Sequence, residues 1–337
     1  MKNPIKTGVL SYGMSGKLFH FPFLREHQGF QLSAVVERSN KEAQKEYPSI
    51  ISYGSVEELI EDPTIELVVV NTPTPTHFDF ALKALRAKKH VLLEKAFTIT
   101  SQQAEQLFKE AAQVQRSVLA YQNRRYDSDF LSVKKVLDSG KLESLVEVHM
   151  RFDRYRYAIG PKVAKESPVP GSGLLYDLGP HLLDQVISLF GNPLEFRKHL
   201  GHFRPNTKVD DYAHIHLLYP KGLQVHLTMS MLVVAIQPAF VLNGTKGSFI
   251  KQRADVQEEQ LLKGIRPEDA GYGEEESDKA GILVTMANDG SRIEERIPAP
   301  KASYIQLFED VYGAIREGKE YPVTQAQLLQ QLQILES

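Results

Sequence analysis

The 337-residue sequence predicts an α/β domain on a doubly wound parallel sheet, followed by an α+β domain on antiparallel strands. Three observations predict it. Up to Ala120, short apolar runs alternate with segments of helical spacing, the pattern of strands buried on both faces and separated by helices. Beyond Tyr121 the strand-like runs alternate polar with apolar residues, as a sheet with one face on a core requires. The length itself points to two domains, since one core rarely organises a chain of this size.

In the first domain, set at residues 1–121, Gly8-Val9-Leu10, Leu32 to Val36, Leu67 to Val70, Val91 to Leu93 and Val118 to Ala120 read as strands. Between them Phe78, Ala81, Leu82 and Leu85 keep helical spacing, as do Ala104, Leu107, Ala111 and Val114. The second domain, residues 122–337, opens with a helix over Ser128 to Leu137 that Ser139-Gly140 ends. Tyr212 to Leu217 and Gln224 to Met229 are period-two strands. Asn243-Gly244 and Asp289-Gly290 are turn dipeptides, the second placed as a hairpin needs. Arg266 to Lys279 is acidic and poor in apolar residues, and reads as a surface loop. Helices over Ile305 to Arg316 and Gln325 to Leu335 close the chain, with packing back on the first domain expected.

Composition excludes several classes. A net charge of -2 gives no electrostatic reason for nucleic acid or an anionic membrane as partner. No apolar run approaches the length of a membrane span, and the opening Met-Lys-Asn-Pro-Ile-Lys has no signal-peptide core. Zero cysteines exclude disulfides, thiolate metal ligands and a cysteine nucleophile. A cytoplasmic location is expected.

Chemistry concentrates at a few places. Ser11-Tyr12-Gly13-Met14-Ser15-Gly16 follows the first strand and opens the first helix. This is the setting of a dinucleotide-binding glycine turn, with Ser11 in place of the first glycine. Gly13 would let backbone approach a pyrophosphate, Gly16 would let helix and strand pack closely, and helix N–H groups would hold the anion. About twenty residues on, where ribose discrimination is expected, stand Glu37, Arg38 and Ser39. Glu37 suits a ribose hydroxyl and hence NAD; Arg38 and Ser39 suit a 2′-phosphate and hence NADP. NADP is favoured, because a guanidinium matches phosphate and stacks on adenine.

Gly171 to Asp184 puts Asp177 and His181 four residues apart, where Gly179-Pro180 reads as the entry to an apolar helix. A carboxylate and an imidazole at a helix mouth are what proton transfer needs. The carboxylate would favour the charged ring and the helix end the neutral one. Upstream, Glu94-Lys95 ends the run Val91 to Leu93. Lys95 and His181 are expected to serve one pocket.

With these motifs and Thr72-Pro73-Thr74-Pro75-Thr76-His77 after the third strand, the chain resembles the Gfo/Idh/MocA family of oxidoreductases. Asn123-Arg124-Arg125-Tyr126-Asp127-Ser128-Asp129-Phe130, Arg154-Tyr155-Arg156-Tyr157 and Tyr176-Asp177-Leu178-Gly179 make it most like the NADP-dependent scyllo-inositol dehydrogenase subgroup. The resemblance implies a Rossmann domain and a second domain on a large, mostly antiparallel open sheet covered by helices on one face. It implies NADP or NAD as cofactor, bordered by Thr72, Pro73, Thr74, His77, Glu94 and Lys95, with Asn123 near the nicotinamide. It implies a catalytic set of Lys95, Asp177 and His181, the imidazole moving the proton. A small cyclic polyol or sugar is the implied substrate, inositol-type rings favoured, and a homodimer or homotetramer through the open sheet face the implied assembly. Ala96 departs from the family's Glu-Lys-Pro motif, and Ser11 from its first glycine.

Tyr155 and Tyr157 suit a polyol pocket and equally suit aromatic packing on a strand. His214, His216 and His226 share a sheet face, but with no carboxylate in clear register no metal is expected. Two other readings stay open: reduction of another carbonyl or unsaturated ring, of dihydrodiol or biliverdin type, and a dinucleotide-binding sensor without turnover. Lys95, Asp177 and His181 together argue against the sensor.

Overall fold

A computed structural model describes residues 4–160 and 166–337, which divide into two compact units. The first unit holds the chain to Asn123 together with Glu258–Tyr272 and Ser303–Glu336. Its strands are β1 (Ile5–Val9), β2 (Phe30–Val36), β3 (Ile51–Tyr53), β4 (Leu67–Val70), β5 (His90–Leu93) and β6 (Val118–Ala120). All are parallel, in the order β3-β2-β1-β4-β5-β6. Every residue of β4 is fully buried, which is why it reads as an unbroken apolar run rather than an alternating one.

The sheet grows one way from β1 and the other way from β4. Ligands of such sheets bind beyond the carboxyl ends of the strands at this reversal. Helices α1 (Phe21–Glu26), α2 (Glu42–Glu46), α3 (Val56–Glu61), α4 (His77–Arg86) and α5 (Ser101–Val114) connect the strands. α3 and α5 carry hydroxyl N-caps, Ser55 accepting from the Glu58 N–H and Thr100 from the Gln103 N–H. The closing segments belong to this unit. Phe308 stacks on Phe23 at 5.8 Å, the Tyr321 hydroxyl donates to the Ala120 carbonyl at 2.8 Å, and the Ser101 N–H donates to Glu336 at 2.9 Å.

The second unit, Arg124–Gln257 with Gly273–Ala302, is built on an eight-stranded sheet. Its strands are β7 (Leu145–Asp153), β8 (Glu195–Gly201), β9 (Tyr212–Leu218), β10 (Gln224–Ser230), β11 (Phe240–Gly244), β12 (Gly247–Lys251), β13 (Gly281–Met286) and β14 (Arg292–Ile297). The order is β14-β13-β12-β11-β7-β10-β9-β8, antiparallel throughout except where β7 lies parallel to β10. Helices α6 (Ser128–Asp138) and α7 (Gly173–Phe190) complete the unit.

The expected alternation holds. Val148 and Met150, Ala213, Ile215 and Leu217, and Val225, Leu227 and Met229 are fully buried on one face. Helix α7 packs on these strands with Leu182, Leu183 and Val186 fully buried. Each such side chain stabilises the fold by about 1.5–3 kcal/mol relative to exposure. The opposite face carries His214, His216, Gln224 and His226, all part-exposed.

Two local expectations are corrected. Helix α7 begins at Gly173, not at Gly179-Pro180, so Pro180 lies inside it. Asp210 supplies the start: Leu174 N–H donates to its carbonyl at 3.0 Å and Leu175 N–H to its carboxylate at 2.6 Å. Gly173 has φ +87°, and a Cβ there would lie 1.9 Å from the Asp210 Oδ1; only glycine fits. Asp177 and His181 therefore sit within the helix, one turn apart on one face, and not at its mouth. The helix-end dipole acts within about the first turn, so its expected pull on His181 is withdrawn. Second, Asn243-Gly244 ends β11, and the chain reverses at Thr245-Lys246. Asp289-Gly290 does close the β13–β14 hairpin, with Gly290 at φ +84°.

Candidate functional site

In the first unit the glycine turn leaves β1 and enters a wide helical turn, Gly16–His20, that runs into α1. The Ser11 hydroxyl accepts from the Gly13 N–H at 3.2 Å, and Ser11 lies outside the left-handed region where a glycine would be needed. A Cβ at Gly16 would meet the Ser11 carbonyl at 2.2 Å, so strand and helix touch as close packing demands. Gly13 meets nothing nearer than the Ser11 hydroxyl, at 3.5 Å. Asn71, the first polar residue after β4, donates to the Ser11 carbonyl at 2.9 Å. Its Oδ1 is buried with no hydrogen-bond partner among the described residues. An open glycine turn beside an unsatisfied buried acceptor, at the reversal point of a parallel sheet, fits a dinucleotide carrying hydroxyl donors.

The Tyr12 hydroxyl donates to Glu46 and its ring lies 4.6 Å from Phe21. Met14 is exposed. Beyond β2, Glu37 is buried: one carboxylate oxygen accepts from the Ala43 N–H at 2.8 Å, the other from the Ser52 hydroxyl at 2.9 Å. Arg38 and Ser39 stand exposed beside it.

Glu94 binds the glycine-turn helix to the segment bearing Lys95. Its Oε1 accepts from the Ser15 hydroxyl at 2.6 Å and lies 2.9 Å from His20 Nε2, while Oε2 accepts from the Lys95 N–H at 3.2 Å. Burial alone would push its carboxyl up; the His20 and Ser15 bonds and the Lys95 charge outweigh it and hold the group below its usual range. His20 is fully buried, its ring 4.4 Å from Tyr121. The Lys95–Ala96 peptide is cis. His77 is also fully buried and staples two loops, with Nδ1 at 2.8 Å from the Ala96 carbonyl and Nε2 at 2.8 Å from the Thr72 carbonyl. Burial holds its pKa below the ordinary value against the pull of those carbonyls. The Thr72 and Thr76 hydroxyls are 2.7 Å apart, and Pro73 and Thr74 cross the surface between them. Asn123 is buried and opens a short turn after β6.

In the second unit His181 is almost buried, and Asp177 on the same helix face lies 3.7 Å from an Arg154 guanidinium nitrogen. The Phe152 ring stands 6.3 Å from His181 and carries three guanidinium groups: Arg253 at 4.6 Å, Arg154 at 5.2 Å and Arg124 at 5.5 Å. One turn beyond His181, Asp184 takes a two-pronged contact from Arg125, at 2.7 and 2.8 Å. Tyr155 and Tyr157 are more than half exposed, and Tyr155 bridges to Leu232; neither packs in the core.

Sequence reasoning missed Ser15's partner, His20, Asn71 and the Arg125–Asp184 pair. Asn71 had a signal, as the first polar residue after a run of valines. His20 and Asp184 had none, because their partners Glu94 and Arg125 lie 74 and 59 residues away along the chain.

Residues 5–122 match the oxidoreductase family with an NAD-binding Rossmann fold, and residues 130–250 match the Gfo/Idh/MocA C-terminal domain. The chain is 37% identical to the uncharacterised oxidoreductase C115.03 of Schizosaccharomyces pombe, over 99% of this chain and 96% of that protein. It is 34% identical to the scyllo-inositol 2-dehydrogenase (NADP(+)) IolW of Bacillus subtilis, over 99% and 92%. A solved oxidoreductase structure from Bacillus cereus superposes with a TM-score of 0.91 at 32% identity, covering 98% of this chain and 95% of that one. No helix among the described residues is long and apolar enough to cross a membrane. A parallel nucleotide-binding sheet, a second unit on a mostly antiparallel sheet and matches to both domains place this chain in the Gfo/Idh/MocA family of NAD(P)-binding oxidoreductases.

Proposed function

We propose that this enzyme oxidises a secondary hydroxyl of a cyclic polyol, an inositol-type ring, to the ketone in a reversible NADP-linked reaction. When bound, the nicotinamide accepts the hydride. His181 takes the hydroxyl proton and returns it in the reverse direction, a role suited to an imidazole near neutral pH. Asp177 favours the protonated ring, and Arg154 orients that carboxylate. Lys95 polarises the reacting oxygen and stabilises the charge that develops on it. Its backbone is steadied through Glu94 by Ser15 and His20. The exposed Tyr155 and Tyr157 contribute hydroxyls for the ring.

The observation that carries the chemistry is the placement of Asp177 and a nearly buried imidazole one turn apart on one face of helix α7. Support for the substrate class comes from the relative that acts on scyllo-inositol. Support for NADP comes from Glu37. It is buried and held by the Ala43 N–H and the Ser52 hydroxyl, whereas Arg38 and Ser39 are the exposed groups beside it.

Following nicotinamide absorbance with inositol isomers and aldoses, under NADP+ and NAD+, tests the reading. The expected result is turnover of a cyclic polyol with NADP+ favoured in kcat/KM. His181→Ala should lose kcat by about a hundred- to ten-thousand-fold with NADP+ affinity retained. Turnover unchanged in that variant, or no polyol oxidised with either cofactor, would sink it.

A further inference from the structure

The outer face of the eight-stranded sheet holds a histidine cluster that the reaction does not use. His149 on β7 pairs in register with His226 on β10, and His226 pairs with His216 on β9. The imidazoles stack nearly parallel, 4.8 Å apart for His149 and His226 and 4.9 Å for His226 and His216. The missing carboxylate comes from β7 as well. Glu147, two residues before His149 and so on the same face, lies 3.2 Å from the His149 Nε2.

We propose that Glu147, His149 and His226 form a binding site for a divalent transition-metal ion of the zinc class. One oxygen and two imidazole nitrogens are a donor set such ions accept. Ligand atoms around a tetrahedral zinc are separated by roughly 3.3 Å, from bonds of about 2.0–2.1 Å. The Glu147–His149 separation already matches, and all three donor atoms lie within 4.8 Å of one another. The remaining gap is left to the His226 side chain, whose backbone is paired in register with His149 and His216. One outer partner is in place: the Asn243 side-chain N–H donates to the Glu147 Oε2 at 3.2 Å. Within this unit the site lies on the sheet face opposite Phe152, whose ring is near His181. The ion is therefore assigned to holding the sheet face, not to chemistry.

The test uses the full chain without a polyhistidine tag, stripped with EDTA. Isothermal titration with ZnCl2 should show one saturable site per chain, and Co2+ should give the intense visible absorption of a four-coordinate ion. His149→Ala and Glu147→Gln should each weaken zinc binding by about tenfold or more, with the circular dichroism spectrum unchanged. His214→Ala, on the same face but outside the donor set, should leave the affinity intact. A titration without saturation overturns the assignment. So does one that Glu147→Gln and His149→Ala leave unchanged, or that His214→Ala weakens equally.

Discussion

At the scale of single residues, charge state is set by what each group is packed against. His90, at the start of β5, accepts a hydrogen bond from the Ser117 N–H at 3.0 Å. Burial, then the charges of Arg116 and Arg316, pushes its pKa down to about 4, against the pull of Glu66. The unfolded chain takes up this proton at higher pH than the folded one. Stability is therefore fully present above the unfolded value near 6.5 and lost as pH falls from there toward 4. After discounting for partial exposure, the loss is on the order of 2 kcal/mol. Denaturant titrations at neutral pH and near pH 4.5 should show this gap, reduced in His90→Asn. The exposed Arg38 gives a second prediction at this scale. Arg38→Ala should raise the KM for NADP+ by about tenfold or more while the KM for NAD+ holds, since a charged contact to phosphate contributes about 1.5–3 kcal/mol. The candidates Lys95, Asp177 and His181 stood out because each is at a strand end or in a polar break of an apolar pattern. His20 did not, because its partner Glu94 is far along the chain.

At the scale of elements, α7 shows where sequence reading stops. Its apolar face was readable from Leu182, Leu183, Val186 and Ile187. Its start was not, because the cap comes from Asp210, beyond the rest of the helix and β8. Proline is a common first-turn residue, so Pro180 imitated a beginning. Gly173→Ala should destabilise the protein by about 2–4 kcal/mol, through both the left-handed backbone and the collision with Asp210. Thermal unfolding measures it. Asp210→Ala, which removes only the carboxylate cap, should lose nearer 1 kcal/mol. Equal losses in the two variants would mean that the close approach contributes nothing. The short β3 and the helices α2 and α3 escaped the sequence reading too. A three-residue edge strand carries too little periodicity to register.

At the scale of the whole chain, the first unit draws on distant sequence. Leu328, Leu332, Ile334 and Leu335 are buried, and the Gln331 Oε1 accepts from the Gln122 side-chain N–H at 3.1 Å. Ending the chain before Gln325 should remove about 6–12 kcal/mol of burial, comparable with the stability of a typical domain. Loss of the cooperative thermal transition, or an insoluble product, is the expected outcome; a truncated chain melting at the full-length temperature would refute it. Sheet class was legible from periodicity alone. Strand order was not, since nothing local tells β7 to lie between β11 and β10.

That placement governs how the second sheet is assembled. The β8–β9–β10 and β11–β12 neighbours are antiparallel and close in sequence, so they can zip from their turns on microsecond timescales. The pairing of β7 with β10 is parallel and cannot start from a hairpin. It must wait until the intervening segment, α7 included, has condensed. Such distant pairing is what slows folding. The middle of the sheet should therefore be the last seam to close, leaving a nascent chain with β7 unpaired until β10 and β11 have been made.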